Sequence, residues 1–248
     1  MIHRRTAVAL FAASPLLLSG CGGGAEAAPS RSGDDRPVRV TASPTPDESS
    51  SPRPSGIPGL GPRTTAAIPG RAEQLVVARG RGRNSPVSSV VLYERDDDVW
   101  QAGAVWPAHN GRDGWSEHHM AGDLRSPVGV YGLTDAGGLL ADPGSRLPYH
   151  HSYGFTSPGT GFEGEPLEGS FDYVVAINYN REPGTSPLDW TRPMGAKRGG
   201  GVWLHVDHGG PTHACVSVAK AHMKELLRAL DPARHPAVVM GHADWLAQ

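Results

Sequence analysis

Apolar residues come in short, β-branched runs broken by Gly and Pro, a pattern that predicts strands. The runs fall at Gln74–Ala78, Val87–Glu94, Val99–Trp106, Gly129–Leu133, Phe171–Asn178, Gly201–Val206 and Ala237–Met240. Tyr173 to Ile177 is apolar without a break, which marks a strand covered on both faces. One stretch keeps helical spacing instead: Met223, Leu226, Leu227 and Leu230 make a single stripe that stops at Asp231-Pro232. Ser217 reads as the N-cap of that helix, so Cys215 is expected just before a helix start, where backbone N–H groups and the helix dipole favour a thiolate. Asp96-Asp97-Asp98 reads as a hairpin turn. The expected fold is mostly β (α+β), with one principal helix after Cys215.

The pattern vanishes at the N-terminal end. His3, Arg4 and Arg5 precede an apolar run from Ala7 to Leu18, too short to span a bilayer, so residues 1–20 read as an export signal. Leu18-Ser19-Gly20-Cys21 has the form of a bacterial lipobox, in which Cys21 would be lipidated. From there to residue 70 the chain is dominated by Gly, Ala, Ser, Pro, Asp and Arg. It buries too little apolar surface to fold, and reads as a disordered tether. Within it, Gly59–Ala66 is similar to the end of a helical peptidoglycan-binding repeat whose remainder is missing. Residues 71–248 form the expected folded domain, long enough for one sizeable core. The expected location is the outer face of the cell membrane, held by the lipid anchor. A net charge of −2 gives no basic field, which argues against nucleic acid as a partner.

With Cys21 assigned to lipidation, Cys215 has no partner for a disulfide. It is either a small buried residue or a nucleophile. His205, His208 and His213 all lie within ten positions of it, and an imidazole can take the thiol proton. His205 ends the Gly201–Val206 strand, and Asp207 to Pro211 turns the chain back toward Cys215. His205-Val206-Asp207-His208 also has metal-ligand residue types, but no further His or Cys sits at ligand spacing; neither a metal nor a cofactor is expected. Gly159–Gly169 and Arg181–Gly200 are long loops, and long loops in compact domains are usually functional. Trp100, Trp106, Trp115, Tyr149 and Tyr153 divide between core and groove-rim roles.

Thr212-His213-Ala214-Cys215, with His205 upstream, resembles the Ser/Thr-His-Gly-Cys signature of the L,D-transpeptidase (YkuD-like) catalytic domain family. Ser126-Pro127-Val128-Gly129-Val130-Tyr131 is similar to a second family segment, and the likeness runs over roughly residues 75–241. The resemblance implies a β-sandwich and a peptidoglycan L,D-transpeptidase. Cys215 would take an acyl group from a tetrapeptide stem, releasing D-Ala, and pass it through a thioester to a neighbouring stem amine or, as an L,D-carboxypeptidase, to water. It assigns catalytic roles to Cys215, His205 and His213, an oxyanion hole to the N–H groups of Ala214 and Cys215, and substrate contact to Thr212 and Ser217. Peptidoglycan stem peptides would be the partners.

Three departures stand against the pattern: Ala214 replaces the family's Gly, Ser217 replaces its Arg or Asn, and the gap from His205 to Cys215 is shorter. They keep a second reading open, a non-catalytic or weakly hydrolytic envelope-binding lipoprotein with the same fold.

Overall fold

The computed structural model describes residues 56–248; the export signal, Cys21 and most of the expected tether lie outside the described residues. The strands in chain order are β1 (Gln74–Gly80), β2 (Val87–Asp96), β3 (Val99–His109), β4 (Trp115–Ser116), β5 (Ser126–Pro127) and β6 (Gly129–Gly138). They continue with β7 (Tyr149–His151), β8 (Val174–Ile177), β9 (Trp203–Val206), β10 (Val216–Val218) and β11 (Ala237–His242). The α-helices are α1 (Pro62–Ala66), α2 (Lys220–Ala229) and α3 (Ala243–Leu246). All seven expected strands form. The β2–β3 hairpin turns at Asp97, whose φ of 51° is the left-handed conformation that Asp tolerates better than most residues.

The strands do not divide into the expected two-sheet sandwich. They run β11-β1-β2-β3-β10-β9-β8-β6, and β6 pairs again with β11, closing a ring of eight. The length of β6 makes this closure. Residues Gly129–Gly132 of β6 pair with Met240–Ala237 of β11, while Ala136–Gly138 pair with β7 and the other edge holds β8. β4 and β5 form a separate two-stranded ladder.

Alternation along each strand sends one set of side chains into the ring. Val76, Val90, Trp106, Leu133, Val175, Leu204, Val216 and Met240 pack there, and the α2 stripe of Met223, Leu226 and Leu227, with Leu230 just beyond it, joins the same cluster. Each such side chain contributes roughly 1.5–3 kcal/mol relative to exposure.

The outward-facing set is used in two ways. On β1, β2 and β11 it is apolar: Leu75, Val77, Tyr93, Ala237 and Val239 make a second cluster with Ile57, Ala72 and Leu246. The folded body therefore reaches back to Ile57, well before the expected boundary at residue 71. The segment holds because α1 receives the end of the chain: the Gln248 carbonyl accepts from the Arg63 and Thr64 N–H groups at 2.9 and 3.2 Å. Gly59–Ala66 is thus a lid on the barrel wall. On β9 and β10 the outward set is Trp203, His205 and Ser217, placed side by side by the parallel register Ser217↔His205.

Candidate active site

Cys215 stands one residue before β10, at the end of the 207–215 connection between two adjacent parallel strands. The residue is half-buried; its Sγ accepts from the Trp203 N–H at 3.4 Å and points its proton at the Gly201 carbonyl, 3.7 Å away. The helix expected directly after it is displaced: β10 intervenes, α2 starts at Lys220, and its N-cap is Ala219 rather than Ser217. The helix dipole falls off within a turn, so it does not act on the thiol. Burial pushes the thiol up to about 11, with the Trp203 N–H working the other way.

His205 is buried on β9, and its Nδ1 lies 2.9 Å from the Val206 carbonyl. A carbonyl only accepts, so Nδ1 carries the proton and Nε2 keeps its lone pair. The Phe171 ring stands edge-on at 5.3 Å and the His208 ring stacks at 5.8 Å. Burial in this surround lowers His205 to about 4. Thiol and imidazole are therefore both neutral at pH 7, and His205 in this state keeps a free but weakly basic Nε2. A resting thiolate–imidazolium pair is disfavoured.

The turn carrying Cys215 is pinned through its carbonyl. Thr212 Oγ1 donates to Cys215 O at 2.7 Å, and Ser126 Oγ donates to the same atom at 3.2 Å. Ser126 also accepts the Gly111 N–H at 2.9 Å, and the Thr212 N–H donates to Asn110 O at 3.0 Å. The two segments singled out in the sequence thus meet at one atom. The N–H groups of Ala214 and Cys215 donate to no backbone carbonyl in the described turns and loops, which leaves them available to an oxyanion. Ala214 is not among the residues with positive φ, so its methyl places no left-handed strain on the turn.

Thr212 and Ser217, expected at the substrate, are both buried with their hydroxyls turned to the protein. Thr212 holds the Cys215 carbonyl, and Ser217 Oγ donates to Asp207 Oδ1 at 2.6 Å. Their geometry is that of positioning residues. Asp207 Oδ1 also lies 2.8 Å from His109 Nδ1. Burial opposes ionisation of Asp207, yet the hydrogen bonds from His109 and Ser217 pull it down to about 2. The same bond to Asp207 raises His109. His208 Nδ1 pairs with Glu165 Oε1 at 3.1 Å, so Asp207 and His208 each have a protein partner.

His213 is exposed, its ring tilted against Phe162 with centroids 4.8 Å apart, and it lines a cavity of about 380 Å³ together with Ala214, His119, Trp190, Arg192 and Gly200. A second cavity of about 280 Å³ is bounded by Phe171, Leu188, Trp190, Arg192, Gly201 and Trp203. Both loops flagged by length reach this region, through Phe162 and Glu165 from one and Trp190 and Arg192 from the other. The second is held in shape by a buried Arg181–Asp135 ion pair at 2.8 Å and by Asn180, which accepts the Met194 N–H at 2.7 Å. Of the aromatic residues considered from sequence, Trp106 and Trp115 are core, Tyr153 is exposed, and the rim is dominated by Trp190, 82% exposed. Trp190 and Arg192 went unread because neither belongs to a periodic run. The only signal was their place in a long Gly-rich loop.

No family model matches the chain, and no curated protein matches it. Among solved structures it is similar to the Bdellovibrio bacteriovorus protein Bd1075, at 17% identity and a TM-score of 0.39, over 73% of this chain and 50% of that one. It is also similar to a fused Zn-dependent amidase/peptidase/peptidoglycan-binding domain-containing protein from Clostridium acetobutylicum, at 11% identity and a TM-score of 0.31, over 68% and 51% of the two chains. The chain spans about half the length of each, and both likenesses are distant.

Proposed function

We propose that the protein is a cysteine acyltransferase of the L,D-transpeptidase type acting on peptidoglycan stem peptides. The observation that carries the reading is the His205 tautomer. A carbonyl-anchored Nδ1–H leaves the Nε2 lone pair unprotonated on the strand next to the Cys215 turn, on the wall face that borders the two cavities. Sγ attacks the carbonyl carbon preceding the terminal D-Ala of a tetrapeptide while His205 takes the thiol proton. The carbonyl oxygen gains its negative charge near the Ala214 and Cys215 N–H groups. Collapse breaks the C–N bond, His205 returns its proton to the departing amine, and D-Ala leaves behind a thioester. An acceptor amine then attacks the thioester, giving an amide and regenerating the thiol; water gives a carboxylic acid. A thiol near 11 with a base near 4 demands that proton transfer accompany attack, so turnover should be slow without a well-placed substrate. His213, exposed at the cavity mouth, serves donor positioning in this scheme.

The test is incubation with a disaccharide tetrapeptide, followed by mass spectrometry of products and protein. Free D-Ala, with a thioester adduct present on the wild type and absent from Cys215→Ala, is expected. A folded protein that binds the peptide yet releases no D-Ala and forms no adduct would overturn the enzyme reading in favour of an envelope-binding protein.

A further inference from the structure

The two cavities flanking the thiol share three residues: Trp190, Arg192 and Gly200. Neither cavity has an acidic lining residue, and Arg192 is the lone permanently charged side chain on either wall among the described residues. Its guanidinium lies 5.0 Å over the Trp190 ring. Nη1 donates to the Asp189 and Thr191 carbonyls at 3.0 and 2.8 Å, which orients the fork, while Nε and Nη2 have no acceptor among the described residues. No carboxylate forms an ion pair with it there, although Arg181 in the same loop has Asp135. Arg192 is only partly buried, so solvent meets Nε and Nη2 in the free protein and both donors stay open to an incoming carboxylate.

Its position relative to the thiol is fixed by backbone. Gly200 passes so close that a Cβ there would fall 2.2 Å from Arg192 Nε, and a Cβ on Gly201 would lie 3.5 Å from Nη2. The carbonyl of Gly201 is the one the Cys215 thiol faces at 3.7 Å. The loop segment Gly200–Gly201 thus runs between the Arg192 guanidinium and the nucleophile. A side chain at residue 200 would displace the fork.

We infer that Arg192 is the specificity-determining residue that receives a substrate carboxylate through Nε and Nη2, selecting peptides whose scissile bond lies next to a free C-terminal carboxylate. The planar fork matches a carboxylate in two parallel hydrogen bonds, which a lysine cannot reproduce. The inference rests on the acyltransferase reading for its substrate class, but its test does not need turnover.

Binding of a tetrapeptide ending in D-Ala, as free acid and as C-terminal carboxamide, is measured by calorimetry on Cys215→Ala protein. The acid is expected to bind on the order of 10- to 100-fold tighter than the amide. Adding Arg192→Gln brings that ratio to about one, with amide affinity unchanged as the sign that the loop remains folded, while Arg192→Lys retains part of the preference. Equal binding of acid and amide, a preference that survives Arg192→Gln, or no binding of either peptide overturns the inference. If Arg192→Gln also loses amide binding, the acid-to-amide ratio of Arg192→Lys decides: an undiminished preference overturns the inference. Failure of the acyltransferase reading looks different: the acid peptide binds with this preference, but the wild type releases no D-Ala.

Discussion

The barrel wall faces outward in two places, and the two are built on opposite rules. Around β1 and β11 the outward residues are aliphatic or aromatic and are sealed by Ile57, Leu60 and Leu246, so removal from water stabilises the wall. Around β9 and β10 the same alternation points a thiol, an imidazole and a hydroxyl outward, under loops that leave two cavities open. One wall surface is stabilised by packing. The other holds neutralised titratable groups in place by hydrogen bonds, with Val206, Thr212, Ser126 and Asp207 as partners. The same strand geometry builds a sealed apolar layer where its outward residues are apolar and a hydrogen-bonded polar face under open cavities where they are polar.

The contrast is sharpest under substitution. Cys215→Ala is expected to abolish D-Ala release, by about 1,000-fold or more, with little change in Tm. Leu75→Ala on the sealed wall does the reverse, costing about 2–5 kcal/mol in denaturant unfolding while the remaining folded fraction keeps its activity per molecule. Loss of both properties in either variant would dissolve the distinction.

Acid should separate the faces next. The folded pKa of His205 lies below its unfolded value, so its neutral form is favoured in the native state. The associated stability is complete above about pH 6.5 and is lost as pH falls toward 4, up to about 3 kcal/mol. Urea midpoints measured across that window should fall more steeply for the wild type than for His205→Asn; parallel curves would mean that His205 is solvated. Thiol alkylation by a small neutral reagent gives the companion measurement. Its rate should keep climbing toward pH 11, whereas a plateau between pH 5 and 9 would indicate a resting ion pair instead.

Smaller effects are expected from the clamps. Thr212→Val removes one of two donors to the Cys215 carbonyl and should lower kcat by about 10-fold with KM nearly constant, at about 1 kcal/mol in stability. Ser217→Ala should change kcat and KM by less than about 3-fold while costing about 1 kcal/mol, because its hydroxyl faces Asp207. A large rise in KM for Ser217→Ala would return it to the substrate.

The sequence was legible where a run was long enough to show its period. Seven strands and the α2 stripe meet that condition. β4, β5, β7 and β10 do not, being two or three residues long, and β10 mattered most. Val216-Ser217-Val218 is too short to show a strand period before the α2 stripe, so the sequence alone places Cys215 at a helix start, whereas β10 stands between them. Ring closure was hidden for a different reason: the pairing of Gly129–Gly132 with Ala237–Met240 is made across more than a hundred residues, and no local pattern encodes it. His205 and Cys215 stand out in the sequence because few residue types carry such chemistry, and the structure places both on the outward face of the adjacent β9 and β10 region. Arg192 does not stand out, since one arginine in a Gly-rich loop looks like any solvated charge until its neighbours are known.

The closure of β6 onto β11 has one more consequence. An open sheet offers a second chain a row of unpaired N–H and C=O groups, the usual template for aggregation. Here closure removes the β6 and β11 edges, and two stretches stay open among the described residues: β7, three residues long with His150 and His151 exposed, and Val99–Pro107 of β3, because β10 pairs only with Ala108 and His109. The β3 stretch, with Val105 exposed, is the one place where a crowded second copy would find a ladder long enough to extend.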